Sequence, residues 1–232
     1  MKIAVFGANG PTGQLLTRQA LAAGHHVTAF TRHPETFPTL AGNLYVHGGD
    51  VHDRQAVEVA ITGQDAVVST LGVPFGPDTV SVYSAGAANL IAAMTRQGVK
   101  RLICVSSSTM APHPTPQGGV VFRKLMQPYV VNKLGRTVYE DMHRMERLVR
   151  ESLTDWTIVR PSGLFQAGSV TDYNTQEDAI LGRFTAREDL ADCLLHQTHD
   201  RTYLNRALAL ATVATKPNML KLIWREGIRK KP

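Results

Sequence analysis

Residues 2–13 read Lys2-Ile3-Ala4-Val5-Phe6-Gly7-Ala8-Asn9-Gly10-Pro11-Thr12-Gly13, and this stretch decides the fold. Ile3 to Phe6 is a short apolar run of the kind a strand shows when both its faces are buried. Glycines follow at Gly7, Gly10 and Gly13. Gln14 to Ala23 then reads as a helix, with Leu15, Leu16, Ala20 and Ala23 facing inward and Gly24 as its stop. A strand, a glycine turn and a helix start in that order make a phosphate cradle. The glycines let the backbone approach an anion closely, and the free N–H groups and the positive end of the helix dipole face it. The spacing is G-x-x-G-x-x-G rather than G-x-G-x-x-G, so its position between strand and helix carries the reading. A purely structural turn is the alternative.

Working outward, His26 to Thr31 is a second strand, and Thr31-Arg32-His33-Pro34 ends it. A site that prefers NAD places an acidic residue here to hold the ribose 2′-hydroxyl. This chain carries Thr31 and Arg32. A guanidinium can grip a 2′-phosphate through its planar fork, a contact worth roughly 1.5–3 kcal/mol. The expectation is therefore NADP(H) in preference to NAD(H); the alternative is a solvated surface arginine.

Asn43 to His47 reads as a third strand, followed by Gly48-Gly49-Asp50-Val51-His52-Asp53, with Asp53 as N-cap of a short helix through Ala60. Asp50 and Val51 fall at the carboxyl end of that strand, where an adenine ring could rest; a turn role is the alternative for Asp50. Asp65 to Thr70 is a fourth strand leading into Leu71-Gly72. Gly72 lets the backbone come close to a cofactor. The stiff apolar loop from Val73 to Asp78 reads as one wall of a substrate pocket. A helix is expected over about 79–97, a fifth strand over 100–106, a helix over 138–151 and a sixth strand over 156–159. Residues 173–183 read as a polar loop. A helix over 187–196, a strand over 203–210 and a last helix over 216–225 complete the chain. Alternating strands and helices argue for a parallel, doubly wound sheet with its ligands at the carboxyl ends of the strands.

The 232 residues suit one large α/β domain, with no second glycine motif and no repeat. No apolar run approaches a membrane span. Cys104 and Cys193 read as buried thiols of a reducing cytoplasm. The net charge of +6 is scattered apart from Lys221, Arg225, Arg229, Lys230 and Lys231, with no nucleic-acid motif beside them. His196 and His199 lack a third converging ligand, and no metal is expected.

Together these motifs resemble the atypical short-chain dehydrogenase/reductase proteins of the NmrA-like group, nearest the biliverdin-IXβ reductase/flavin reductase type. The motifs are GANGPTG at 7–13, TR at 31–32, GDVHD at 49–53, STLG at 69–72, VSSS at 105–108, MHRMERLVRESLTDWTIVRPSGLF at 142–165 and TAREDLADCLL at 185–195. The resemblance implies an α/β, doubly wound parallel sheet (a Rossmann fold) in a single domain. A small substrate-side cap would come from loops 109–136 and 165–184. It implies that Gly7, Asn9, Gly10, Pro11, Thr12 and Gly13 wrap a pyrophosphate. Thr31 and Arg32 would meet the 2′-phosphate, Asp50 and Val51 the adenine, and Leu71 and Gly72 the ribose side. Ser106 and Ser107 would lie near the nicotinamide, Ser107 in the catalytic position, with Pro161 and Ser162 lining the same end.

The acid–base group is less plain. Tyr129-Val130-Val131-Asn132-Lys133 matches Y-x-x-x-K by letter, but it sits ahead of the expected helix. Tyr139 lies on the helix, yet the position four later is His143. Hydride transfer to an electron-poor conjugated acceptor needs no dedicated acid. The expected function is therefore a cytoplasmic NADPH-dependent reductase of a flavin, quinone or tetrapyrrole, monomeric or homodimeric, with neither nucleic-acid nor membrane partners. The alternatives are a non-catalytic NADP(H) sensor and an epimerase or carbonyl reductase using Tyr129 and Lys133.

Overall fold

The parallel sheet follows from strands whose two faces are both apolar. In the first, β1 (Lys2–Phe6), Ala4 and Phe6 point into one half of the core and Ile3 and Val5 into the other. The computed structural model describes residues 1–111 and 135–214. In chain order the further elements are α1 (Pro11–Ala22), β2 (His26–Thr31), β3 (Leu44–Gly48), α2 (Arg54–Ile61), β4 (Ala66–Ser69), α3 (Val82–Gln97), β5 (Arg101–Val105), α4 (Arg136–Glu151), β6 (Asp155–Pro161), β7 (Gly163–Phe165), β8 (Tyr173–Glu177), β9 (Phe184–Ala186), α5 (Arg187–Gln197) and β10 (Arg206–Thr212).

The main sheet has the order β3-β2-β1-β4-β5-β6-β10-β8, and β7 pairs with β9 in a second, two-stranded sheet. All pairings in the main sheet are parallel except β8 with β10. This is the doubly wound arrangement. The order reverses between β1 and β4, where Phe6 lies opposite both Phe30 and Ser69. A crevice opens at such a reversal, outside the carboxyl ends of the strands. On one face Leu16 and Ala20 of α1 meet Leu190 and Leu194 of α5; on the other, Val57 of α2, Leu90 of α3 and Val149 of α4 share one core.

Several expectations shift. The first helix starts at Pro11, three residues early, because proline at the first helical position lacks only an N–H that would have no partner there. That helix ends at Ala22, and Ala23 is exposed. The third helix starts at Val82 rather than 79. Residues 173–177 form an antiparallel edge strand where a loop was expected; its outward side chains are polar because that edge meets water. Asp53 caps α2 as expected, accepting from the amides of Gln55 and Ala56 at 2.9 and 3.2 Å. Of the expected cap, the described parts are 109–111, 135–136 and 165–184, the last of which holds β8 and the start of β9. Residues 112–134, with Tyr129 and Lys133, and residues 215–232, with the final helix and basic cluster, lie outside the described residues.

Candidate active site

The glycine turn is built by close packing of backbone on backbone. Gly7 has φ +76°, and a Cβ there would stand 2.8 Å from the carbonyl carbon and oxygen of Thr70. A Cβ on Gly13 would stand 2.3 Å from the Gly7 carbonyl oxygen. The turn therefore sits flush against β4 and the helix start against the turn. Gly10 occupies the N-cap of α1, and no side chain caps that helix. Helix geometry leaves the amides of Thr12 and Gly13 without intrahelical partners. These donors and the dipole end face the crevice at the β1/β4 reversal, an arrangement that fits a pyrophosphate.

Asn9 ties this turn to the next one. Its side-chain amide donates to the Thr36 hydroxyl at 2.8 Å, and its Oδ1 accepts from Gln14 at 3.0 Å. Thr36 in turn donates to the His33 carbonyl at 3.0 Å. Thr31 ends β2 and accepts from the His33 amide at 3.2 Å. Arg32 lies exposed between them, at the carboxyl end of β2. Asp50 accepts from the backbone and ring of His52, at 2.9 and 2.6 Å. The backbone hydrogen bond from His52 leads the effects that hold its carboxyl below the usual range, with the Arg32 charge contributing. Val51 is buried, and its carbonyl accepts from Asn89 at 2.9 Å.

At the end of β4, Leu71 packs against the core, and a Cβ on Gly72 would meet only the Tyr83 hydroxyl, at 4.0 Å. The Val73 amide donates to the Tyr83 hydroxyl at 3.2 Å. At the end of β5, the Ser106 amide continues the ladder onto the Val159 carbonyl at 2.8 Å. The Ser106 hydroxyl is buried and has no hydrogen-bond partner among the described residues. A buried orphan costs free energy, so this oxygen fits a ligand's polar group at the strand end.

Ser107, expected in the catalytic position, lies just past the end of β5. Its hydroxyl accepts from the Thr109 amide and hydroxyl at 3.3 and 2.9 Å. The Tyr139 phenol lies near the Thr109 and Ser107 hydroxyls, both of which act to lower its pKa. Three hydroxyls thus converge at the carboxyl end of β5. Burial pushes the Tyr139 phenol above its ordinary value of 10, with the two hydroxyl contacts opposing that shift. His143, four residues on, is exposed. The letter pattern passes over Tyr139 because it requires a lysine at that position; the helix face toward Ser107 was the available signal.

Buried charges hold α4 in this place. Asp141, fully buried, accepts from the Tyr83 and Ser84 amides at 2.9 and 3.2 Å, from the Ser84 hydroxyl, and from Arg144 at 3.0 Å. It thereby caps the start of α3 from α4. Two turns beyond Tyr139, Glu146 forms a two-point bridge with Arg160 of β6, at 3.0 and 2.6 Å. Arg160 also meets Asp178 at 3.2 Å. Pro161 ends β6. The Ser162 hydroxyl donates to the Gly182 carbonyl at 2.9 Å and its amide to Thr185 at 3.0 Å, which fastens the 178–183 segment to this end of the sheet.

Among the described residues, no group of three acids, histidines or cysteines could hold a metal, and no helix is long and apolar enough to cross a membrane. Cys104 and Cys193 are buried free thiols, each pushed up to about 12 by burial.

Comparison with known proteins agrees with this geometry. A family model described as NAD(P)H-binding matches residues 7–201. An uncharacterised protein of Mycobacterium tuberculosis is 37% identical over 108 residues, which are 46% of this chain and 12% of that protein, so the chain spans a small part of the length of that relative. An uncharacterised sugar epimerase of Bacillus subtilis, YhfK, is 28% identical over 216 residues, covering 90% of this chain and 94% of that one. Among solved structures, a short-chain dehydrogenase/reductase of Veillonella parvula in complex with NADP superposes with a TM-score of 0.75 at 20% identity, covering 94% of this chain and 98% of that one. An anaerobillin reductase of Escherichia coli O157:H7 gives 0.73 at 22% identity over 94% and 100%.

Proposed function

The chain belongs to the NAD(P)H-binding family, and on that premise we propose that it is an NADPH-dependent reductase of a planar conjugated acceptor: a flavin, a quinone or a tetrapyrrole. The observation that carries this reading is the cluster at the carboxyl end of β5, where the Ser107 and Thr109 hydroxyls meet and the Tyr139 phenol of α4 lies beside them, on the edge of the sheet that also carries the glycine cradle. A sensor needs the cradle but no such cluster. The fold shared with an anaerobillin reductase is in keeping with this choice.

When bound, NADPH supplies a hydride, two electrons and one proton, and is left as NADP+. The chain supplies the rest. The Thr12 and Gly13 amides hold the pyrophosphate, and Arg32 pairs with the 2′-phosphate, which favours NADPH over NADH. Ser106 and Ser107, with Pro161, set the nicotinamide end against the acceptor. The Tyr139 hydroxyl donates to the acceptor oxygen or nitrogen on which negative charge develops. It passes its proton there and is reprotonated from solvent, so the acceptor gains two electrons and two protons in all.

The acid role follows from the environment of Tyr139. Its phenol is held neutral by burial, and no lysine stands four residues later to favour the phenolate. A neutral phenol can donate a hydrogen bond but cannot take up a proton as a base, although the raised pKa makes it a weaker acid than a free tyrosine. This favours reduction over epimerisation, which must first remove a proton. A conjugated carbonyl compound is accommodated by the same groups.

The test is oxidation of NADPH by purified protein with riboflavin, a naphthoquinone and biliverdin as acceptors, followed by Tyr139→Phe. The expected result is acceptor-dependent turnover that falls about 100-fold in the variant at unchanged NADPH affinity. Tight NADPH binding without oxidation by any of the three acceptors would refute the reductase and favour the sensor.

A further inference from the structure

Phe75 stands half exposed, at 49%, on the loop that leaves β4 beside the hydroxyl cluster. A single exposed apolar side chain is ordinary on a protein surface. The way this one is held is not. Its ring lies against the Tyr139 ring, with centroids 5.7 Å apart and planes tilted by 50°. Gly135, just before α4, sits under both rings. A Cβ there would stand 2.7 Å from the Tyr139 ring and 3.1 Å from the Phe75 ring. The Thr137 hydroxyl, on the first turn of α4, donates to the Gly76 carbonyl at 3.3 Å. Pro74 and Pro77 stiffen the loop on either side. The phenyl ring is therefore fixed to the same helix start that carries Tyr139, with much of its surface left to water.

We propose that Phe75 is the stacking platform for the acceptor and determines its class: a flat aromatic ring system lies on the exposed surface of Phe75 while its polar edge reaches the Tyr139 hydroxyl. Aromatic rings favour offset stacking or tilted contact, and each such contact adds to what burial alone supplies. A platform held in advance loses little freedom when a ring settles on it. A compact aliphatic acceptor would gain nothing from it. This inference rests on the reductase reading in so far as it concerns turnover; the binding of a flat ring at Phe75 does not depend on chemistry.

The test compares Phe75→Leu, which keeps an apolar side chain, with Phe75→Trp, which keeps an aromatic one. Riboflavin is the probe, and quenching of its fluorescence is titrated against protein loaded with NADP+. Riboflavin binding should weaken at least fivefold in Phe75→Leu and persist within twofold in Phe75→Trp, with NADPH affinity unchanged in both. In turnover with riboflavin or a naphthoquinone, the loss in Phe75→Leu should fall on KM rather than on kcat. Quenching that depends on Phe75 in a protein that oxidises no NADPH would refute the reductase and support the platform. Turnover with Phe75→Leu equal to wild type, or no riboflavin binding by wild type, would overturn the platform.

Discussion

Replacing Arg160 by methionine should destabilise the protein far more than the loss of a surface charge. The guanidinium is 2% exposed and forms a two-point bridge with Glu146, whose side chain is 7% exposed. Methionine keeps the length of the stem and removes the charge. Glu146 is then left buried with Arg150 at 3.6 Å, a partner that is itself 41% exposed and in longer contact. Removing one member of a buried pair costs about 3–5 kcal/mol, most of it the uncompensated charge. A chain of this size loses about 2–4 °C of Tm per kcal/mol, so a fall of roughly 6–20 °C follows. Thermal and urea unfolding followed by circular dichroism at pH 7 would measure it. The double variant Arg160→Met/Glu146→Met should recover most of the loss, because the charges left behind, Asp178 and Arg150, are about half exposed and keep their water. A single variant within about 1 kcal/mol of wild type, or a double variant no more stable than the single, would refute the claim that this pair is desolvated.

Three further outcomes follow from the site. Arg32→Ala should weaken NADPH about 10- to 100-fold and leave NADH nearly unchanged, read by calorimetric titration of both. Gly13→Ala should abolish dinucleotide binding while far-ultraviolet circular dichroism stays close to native, because its Cβ would meet the Gly7 carbonyl oxygen at 2.3 Å; near-native affinity would show that the turn relaxes. With burial pushing the Tyr139 phenol above its ordinary value, the proposed donor role predicts that kcat for reduction shows no loss to phenol ionisation between pH 6 and about 9.5. A break in that range that vanishes in Tyr139→Phe would contradict the neutral-donor role.

The parts of the molecule legible in sequence are those encoded locally. Ile3 to Phe6 announces a strand buried on both faces, the three glycines announce a turn, and Asp53 announces its own helix. The strand order then follows from the rule for doubly wound sheets rather than from any one residue. What stayed hidden depends on residues far apart in the chain. Ser107 and Tyr139 are each named from the sequence, but that they lie beside each other at the end of β5 depends on how α4 packs. Asp141 caps a helix 58 residues away, through the Tyr83 amide. Arg160 and Glu146 read as two ordinary charges until β6 and α4 are packed together. β8 reads as loop because an edge strand facing water carries polar side chains.

The hydrogen bonds from Asn9 to Thr36, and from Thr36 to the His33 carbonyl, carry a lesson for redesign. They make the glycine turn and the turn after β2 one mechanical unit, although the two are far apart in sequence and, in the proposed reading, would meet different parts of a dinucleotide. Cofactor preference is usually retooled by exchanging residues in that second turn. Here such exchanges would pull on the first turn as well, so a swap at Arg32 alone should be tolerated, whereas grafting a whole 31–36 segment from an NAD-using relative would sever the link to Asn9. Variants meant to change the coenzyme should keep Thr36, and libraries that randomise it should lose affinity for both coenzymes together.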